Sequence, residues 1–539
     1  MNFTILLHLL CLSLTSAFQW YPLGNWIEEE GTPDLAGTAV ANSLDGSIIA
    51  VSAPHYRPDE GPGSAGKRLG RVVVYKFDDT RDAWDKWGKP LIGLDGESLG
   101  SSLGMSEDGR SIIVGSIAKN ENGDEKAGKV QVFVLDTATG EPEWIQKGQT
   151  LYGKTAHDLF GFDVDIRDGG EVIAIGAPGQ DVGGLEEAGT VSIYKWISAD
   201  GKWTIVKRSD NNRDVLQGTE ARGHFGASVS LSQVGVLAVG EPDANDGGKV
   251  SMIRYDATNA TWVEYGLIQN ITGFEKKPGD KFGHSVSVSF DGSKVAIGTP
   301  LHTQNQNSGK KHAGAITVHK HNSANGVWEP MGSAIYGSKA GDQSGYSVHL
   351  SDSGEELAFG SPFSGLNGQE SGHISVYFYG SADSIDPDWG IMDAEIDGKS
   401  SFNNLGMSVA ISGNGEQVMG GAPTEGYATV YMLAETAPPT MAPTPGPKSN
   451  SKMHPLRVIF YILFLSFLVF GVYKAIQFLV RKRQTSSFQA APPSDLEMTP
   501  HGDASPAPPS PIAANGISLV NGVSPPQSPL PEEEAREIL

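Results

Sequence analysis

Carboxylates are the side chains of this chain best suited to chemistry, and they gather in short, Gly-rich segments. Asp59 and Glu60 stand in HYRPDEGPGSAGKRLG, Asp124 and Glu125 in IAKNENGDEKAG, Asp181, Glu186 and Glu187 in GQDVGGLEEAG, and Asp243 and Asp246 in DANDGG. Such groups attract a basic protein surface or a cation. Asp243-Ala244-Asn245-Asp246 comes nearest to the spacing of a calcium loop. The competing reading is solvated loop charge with no ligand. The net charge of −23 lies wholly within residues 18–433, because eight basic and eight acidic residues fall outside them. A surface this acidic repels nucleic acid and anionic lipid headgroups.

Catalysis finds fewer candidates. The single cysteine, Cys11, lies in an N-terminal apolar run and leaves no thiol nucleophile or thiolate zinc site elsewhere. The histidines do not pair at metal-ligand spacing, and there is no GxSxG elbow. His224 and His284 each adjoin a Phe-Gly pair and could meet in space, although hydrogen-bonded structural histidines suit the same positions. A glycoside hydrolase on a β scaffold would need two carboxylates facing one another in a central pocket. The sequence leaves that pairing open. The expectation is a binding protein, not an enzyme, with no cofactor or resident metal.

The acidic segments recur because the whole middle of the chain recurs, at a period of roughly 60 residues. The phrase begins LAGTAVANSLDGSIIAVSAP from Leu35, LGSSLGMSEDGRSIIVGS from Leu99 and FGFDVDIRDGGEVIAIGAP from Phe160. It returns as FGASVSLSQVGVLAVGEP from Phe225, FGHSVSVSFDGSKVAIGTP from Phe282, SGYSVHLSDSGEELAFGSP from Ser344 and LGMSVAISGNGEQVMGGAP from Leu405. Within each copy apolar and polar residues alternate with period two, and Asp-Gly pairs such as Asp291-Gly292 read as two-residue hairpin turns. A third strand follows (RVVVYKF, KVQVFVL, TVSIYKW and their counterparts), then a fourth that begins near Trp20, Trp84, Trp144, Trp203, Trp262, Trp328 or Trp389. A Trp once per repeat reads as a packing residue between sheets. The fold class is therefore all-β, a seven-bladed β-propeller with four-stranded antiparallel blades spanning residues 18–433. The chain opens with a lone fourth strand at Trp20 and closes with a third strand over 428–433, so one blade must combine the two ends.

Phe160-Gly161 with Gly176-Ala177-Pro178 shows the two recurring phrases intact, and in them the repeats resemble FG-GAP repeats, which build the seven-bladed propeller at the N-terminus of integrin α subunits. The resemblance covers roughly residues 20 to 433. It implies a propeller outside the cytoplasm that engages a protein partner on one face. Two departures limit it. The hairpins here are SxDG turns, and one Asp cannot build the oxygen cage of an integrin-type calcium site; the stalk domains and the juxtamembrane GFFKR of integrins are missing.

The flanks place this module. Residues 1–17 read as a signal peptide with cleavage after Ala17. Residues 434–457 form a Pro- and Thr-rich stalk, and 458–480 an apolar segment long enough to span a bilayer. Arg481, Lys482 and Arg483 follow, so the C-terminus is expected in the cytoplasm, as in a type I membrane protein. Asn259 and Asn270 are N-glycosylation sequons on the outer side. The tail, 481–539, is expected to be disordered. Thr499, Ser505, Ser510, Ser524 and Ser528 are its candidate phosphorylation sites, PPQSPLP suits an SH3-like groove, and EAREIL resembles a sorting-adaptor signal. The leading reading is a receptor or adhesion module for a protein or glycan ligand. A secretory or endosomal cargo receptor and a membrane-tethered glycan hydrolase are the alternatives.

Overall fold

The computed structural model describes residues 18–435, apart from short stretches at 29–33, 59–67, 118–122, 207–213, 305–308 and 381–386 and single positions 139, 168, 270 and 272. The signal segment, most of the stalk, the apolar segment 458–480 and the tail lie outside the described residues. Seven antiparallel sheets appear in chain order, each built from an inner strand, two middle strands and an outer one. The seventh sheet joins the two ends. Phe18–Pro22 pairs antiparallel with Tyr427–Glu435, and Trp20 stands opposite Leu433. This is the closure expected from the order of the repeats.

The ring holds because each sheet has two apolar faces and covers neither alone. Among the described residues seven apolar clusters form, each shared by two adjacent blades. The repeat tryptophans bridge the same junctions. Trp84, Trp144, Trp203 and Trp389 donate their indole N–H to Leu23, Trp87, Lys147 and Met331 carbonyls of the preceding outer strand, at 2.7 to 2.9 Å. Trp328 reaches the Tyr265 carbonyl at 3.4 Å. The tryptophan is thus an apolar plate with a polar handle fixed to its neighbour.

The recurring glycines mark where two backbones meet. In blades 3 to 7 the Phe-Gly glycine, or its counterpart, donates its N–H to the carbonyl of the glycine that ends the second strand of the same blade, as Gly283 does to Gly298 at 3.1 Å. That second glycine also lies against the next blade. A Cβ on Gly115, Gly176, Gly240, Gly298, Gly360 or Gly421 would stand 1.9 to 2.2 Å from the carbonyl oxygen of the next Phe-Gly glycine. The same carbonyl accepts a serine hydroxyl, from Ser102, Ser228, Ser285, Ser347 or Ser408, at 2.8 to 2.9 Å. Blade 1 makes the exchange that this geometry allows: Ala39 replaces the serine, and Ser52 replaces the glycine and receives the Ala39 N–H at 3.0 Å.

Two local expectations change. The Asp-Gly pairs do not form two-residue turns; Ser289 N–H binds the Lys294 carbonyl at 3.0 Å around a four-residue loop, and Gly292 takes φ 66°. Asp291 has an ordinary negative φ, so the loop is built on a tighter turn that glycine closes. The serine of SxDG explains the choice: Ser289 Oγ donates to Asp291 at 2.7 Å and accepts the Lys294 N–H at 3.0 Å. Ser43, Ser106 and Ser412 repeat this relay with Asp45, Asp108 and Asn414. The outer strand is also broken into two short pieces in six blades, with only blade 4 keeping it whole.

Candidate functional site on the loop face and in the axial channel

Strand direction sorts the connections onto two faces. The segments after the second strands and the links from outer to inner strands share one, the loop face; the SxDG hairpins and the third-to-fourth turns share the other, the hairpin face. Asp59 and Glu60 lie outside the described residues. Glu125 is exposed and Asp124 half-buried at the start of blade 2's third-strand approach, where the Glu125 carbonyl accepts the His157 N–H at 2.9 Å. Asp181 accepts the Glu187 N–H at 2.8 Å, and Glu186 pairs with Arg222 at 2.8 Å. The Asp246 carbonyl receives the Lys276 ammonium at 3.0 Å.

The remaining loop acids form a chain of charges that crosses three blades. Glu187 of blade 3 faces His224 Nε2 at 3.5 Å, His224 Nδ1 meets Asp243 at 2.9 Å, and Asp243 pairs with Lys281 at the entry to blade 5. The Asp243 hydrogen bond holds His224 above the usual histidine range, while burial lowers it only in part. Burial pushes Asp243 up, but bonds to His224 and Lys281 more than reverse this. These acids therefore tie neighbouring loops together. Among the described residues no three His, Cys, Asp or Glu side chains gather as a metal site would need. His284 takes different surroundings from His224: it packs edge-on to Tyr346 at 4.8 Å, and burial pushes it down to about 4. Asn259 is exposed in the third-to-fourth turn of blade 4, on the hairpin face, while Asn270 and the tail serines and threonine lie outside the described residues.

A cap beside each Phe-Gly pair went unread in the sequence. Asp158, Asp280, Asp342 and Asn403, each two residues before the Phe-Gly position, accept the N–H of the residue three before them at 2.7 to 2.9 Å. Blade 4 has Gly223 there, and Glu241 fills the space from the second strand, where a Cβ on Gly223 would stand 2.3 Å from its Oε1. Glu241 is only 1% exposed; one oxygen lies 3.2 Å from Lys249, and burial pushes the carboxyl up to about 7.

Inner strands from all seven blades line an axial cavity of ≈ 220 Å³. Ser, Ala or Gly occupies most inward positions, but blade 3 presents Asp163, Asp165 and Arg167 on alternate residues of Val164–Arg167 and its approach, and blade 6 presents His349. The sequence carried this signal, since FGFDVDIR puts Asp, Asp and Arg where FGASVSLS has its three serines. Glu107 and Asp352 join the lining toward the hairpin face. Asp163 accepts the Val164 and Val229 N–H groups at 3.0 and 2.7 Å; Asp165 accepts those of Ile166 and Leu231 at 2.8 and 2.7 Å. Ser230, Ser287 and His349 Nδ1 do the same for blades 5, 6 and 7, at 3.1, 2.9 and 3.0 Å. Asp163 and Asp165 are thus inter-blade staples in which each carboxylate oxygen already has a fixed donor. Arg167 lies along the wall, donating to the Leu231 and Ile166 carbonyls and facing Asp165 at 3.3 Å.

Burial raises the carboxyls of Glu107, Asp165 and Asp352, with Arg167 opposing it in each, and pushes Asp163 up to about 7. It pushes His349 down to about 4, so the ring is neutral and, with Nδ1 accepting, carries its proton on Nε2. A stability consequence follows for Asp163 and Glu241. Their folded pKa values lie above the unfolded ones, so the native state binds more protons between about pH 4 and 7, and stability falls as pH rises through that window. As pH rises from 5 to 8, wild type is expected to lose unfolding temperature relative to an Asp163→Asn, Glu241→Gln variant, because the buried His284 and His349, which act in the opposite sense, are common to both proteins. Equal slopes in thermal melts of the two proteins would contradict this.

Comparison with known proteins returns no matching family model and no matching curated relative. The seven-bladed ring stands on the chain's own strand pairing.

Proposed function

We propose that the chain is a single-pass type I membrane protein that holds an FG-GAP-like propeller outside the cytoplasm as a recognition or adhesion module for a protein or glycan ligand, and that it is not an enzyme. The observation that carries the reading is directional. The last strand, Tyr427–Glu435, runs from the loop face to the hairpin face, and the N-terminal strand Phe18–Pro22 begins on the hairpin face beside it. Both ends of the ring leave on that side. A stalk over 434–457 and an apolar segment at 458–480 follow the C-terminal end in the sequence, which leaves the variable loops on the opposite face of the ring free to serve as a binding face on a rigid scaffold. The non-enzymatic part is supported by Asp163 and Asp165, whose carboxylate oxygens are engaged by backbone N–H groups, those of Val229 and Leu231 holding blade 3 to blade 4.

The test displays the full chain on cells and offers immobilised glycans and secreted proteins. Exchanging the largely exposed stretches 181–187 and 365–369 for Gly-Ser segments of equal length is expected to weaken capture by about tenfold or more, equivalent to about 1.4 kcal/mol, with little change in the unfolding temperature. A protein held at steady state in Golgi or endosomes would favour the cargo-receptor alternative instead. Glycan turnover that disappears in Asp163→Asn would overturn the non-enzymatic assignment.

A further inference from the structure

The loop face carries a basic sector on a protein whose net charge is −23. Lys276, Lys277 and Lys281 stand in the link that enters blade 5, Lys310 and Lys311 in that blade's loop after its second strand, and Lys339 in the link that enters blade 6. These three connections are neighbours on the ring. Lys277 and Lys339 occupy the same position of the repeat, three residues before the buried Asp280 and Asp342, whose carboxylates accept their backbone N–H groups at 2.9 and 2.7 Å. One kind of cap therefore presents a lysine in each of two successive blades. Lys311 is held beside the second of them, because its carbonyl accepts the Gly341 N–H at 3.0 Å and ties the blade 5 loop to the link that bears Lys339.

Part of this charge is already used. Lys281 pairs with Asp243, and Lys276 donates to the Asp246 and Gly248 carbonyls at 3.0 and 2.6 Å. Lys277, Lys311 and Lys339 form no ion pair among the described residues, and Lys311 and Lys339 are exposed. Asp397 senses Lys339 only from beyond ion-pair distance, and Glu275 is the one exposed acid in the three connections. At physiological salt a charge is screened over about 8 Å, so the acids of other blades do not cancel the sector. Its ligand follows from what it lacks. No large apolar side chain is exposed in the three connections, so a folded protein partner would find no anchor to bury. No arginine occurs between Arg254 and Arg457, so the planar fork that grips a fixed carboxylate is missing too. Lysine is a compact point charge on a flexible stem, suited to mobile anions presented in a row. We infer that the loop face of blades 5 and 6 binds a linear anionic polysaccharide, laid across Lys277, Lys311 and Lys339. The inference deepens the reading of the loop face as a recognition face and rests on it.

The experiment uses the full chain, purified in detergent, and measures binding to dextran sulfate, to neutral dextran of the same length and to poly-glutamate. Dextran sulfate is expected to bind, with an affinity that falls steeply as salt rises because each contact releases counterions, and neutral dextran is expected not to bind. The Lys277→Glu, Lys311→Glu, Lys339→Glu variant should bind dextran sulfate about tenfold or more weakly and with a flatter salt dependence. Lys86→Glu, Lys202→Glu, Lys320→Glu makes the same change of charge on exposed lysines away from the loop face, and should stay within about twofold of wild type. The single exposed change Lys311→Glu, expected to cost about threefold, carries the test if the triple variant fails to fold. No binding of dextran sulfate, equal losses in the two triple variants, or tighter binding of poly-glutamate than of dextran sulfate would overturn the inference. The loop-face reading is tested apart from it by the exchange of 181–187 and 365–369. Capture lost in that exchange, with dextran sulfate indifferent to the three lysines, would leave the recognition face standing and sink the polysaccharide track.

Discussion

Gly298→Ala is expected to destabilise the propeller by about 3 kcal/mol, far beyond what one added methyl group costs on a surface. Its Cβ would stand 2.0 Å from the Gly345 carbonyl oxygen and 2.3 Å from Ser285 Oγ. The first of these cannot swing away. The carbonyl belongs to the backbone of the next blade and already accepts the Ser285 hydroxyl at 2.9 Å, while Gly345 N–H is bonded to the Gly360 carbonyl at 3.0 Å. Relief requires the two blades to part, and parting them uncovers the shared cluster that contains Ile316, Val348 and Leu357. Gly365→Ala is the matched control. The nearest atom to a Cβ there is 3.4 Å away, and the change should fall within about 0.5 kcal/mol of wild type. Chemical denaturation of the two variants beside wild type measures both. Equal midpoints would mean that the seam is not close-packed and that the recurring glycines serve some other purpose.

That seam explains which parts of the molecule were legible beforehand. The period, the blade count and the shared blade were readable because burial imposes them. A Trp, a Phe-Gly pair and a run such as KVAIG must recur wherever one sheet covers the next, and a chain that starts at Trp20 with a fourth strand has one place to put it. What escaped depended on side-chain partners that a periodic pattern does not name. Glu187, His224, Asp243 and Lys281 look like scattered loop charges in the sequence, yet they meet across blades because the loops on one face lie side by side. The Asp-Gly pairs suggested the shortest hairpin, but the preceding serine, held between an aspartate and a backbone N–H, selects a longer one.

The channel is the clearest instance of a readable signal passed over. Asp163, Asp165 and Arg167 replace small or hydroxylated residues at three inward positions of one repeat, a departure visible once the seven copies are aligned. Its meaning was not visible, because the Val229 and Leu231 N–H groups that bind the carboxylates lie more than sixty residues away. The unbroken outer strand of blade 4 was hidden for a similar reason. Whether an outer strand bends depends on how it follows the next blade, which no local alternation of apolar and polar residues records.

Ring closure is also where the largest stabilisation can be added. Tyr21 and Met432 face one another across the strand pair that joins the chain ends, and both side chains are more than a third exposed. Trp20 N–H turns outward to Asp393 at 3.0 Å, which makes its neighbours the hydrogen-bonded pairs of the ladder. Such pairs have Cα atoms about 5.5 Å apart, within the range a disulfide spans. A bridge there closes a loop of about 410 residues in the unfolded chain, which at that length should contribute up to about 6 kcal/mol. Native Cys11, the one cysteine of the sequence, precedes residues 18–433 and falls in the expected signal peptide.

The decisive measurement is therefore thiol titration and thermal unfolding of the full chain carrying Tyr21→Cys and Met432→Cys, expressed in an oxidising compartment. The account predicts no free thiol at either introduced position, and an unfolding temperature raised well above wild type that returns to the wild-type value when reductant opens the bridge. Two free thiols in a folded protein, with no change on reduction, would show that the chain ends do not share a sheet and would contradict the closed seven-bladed ring.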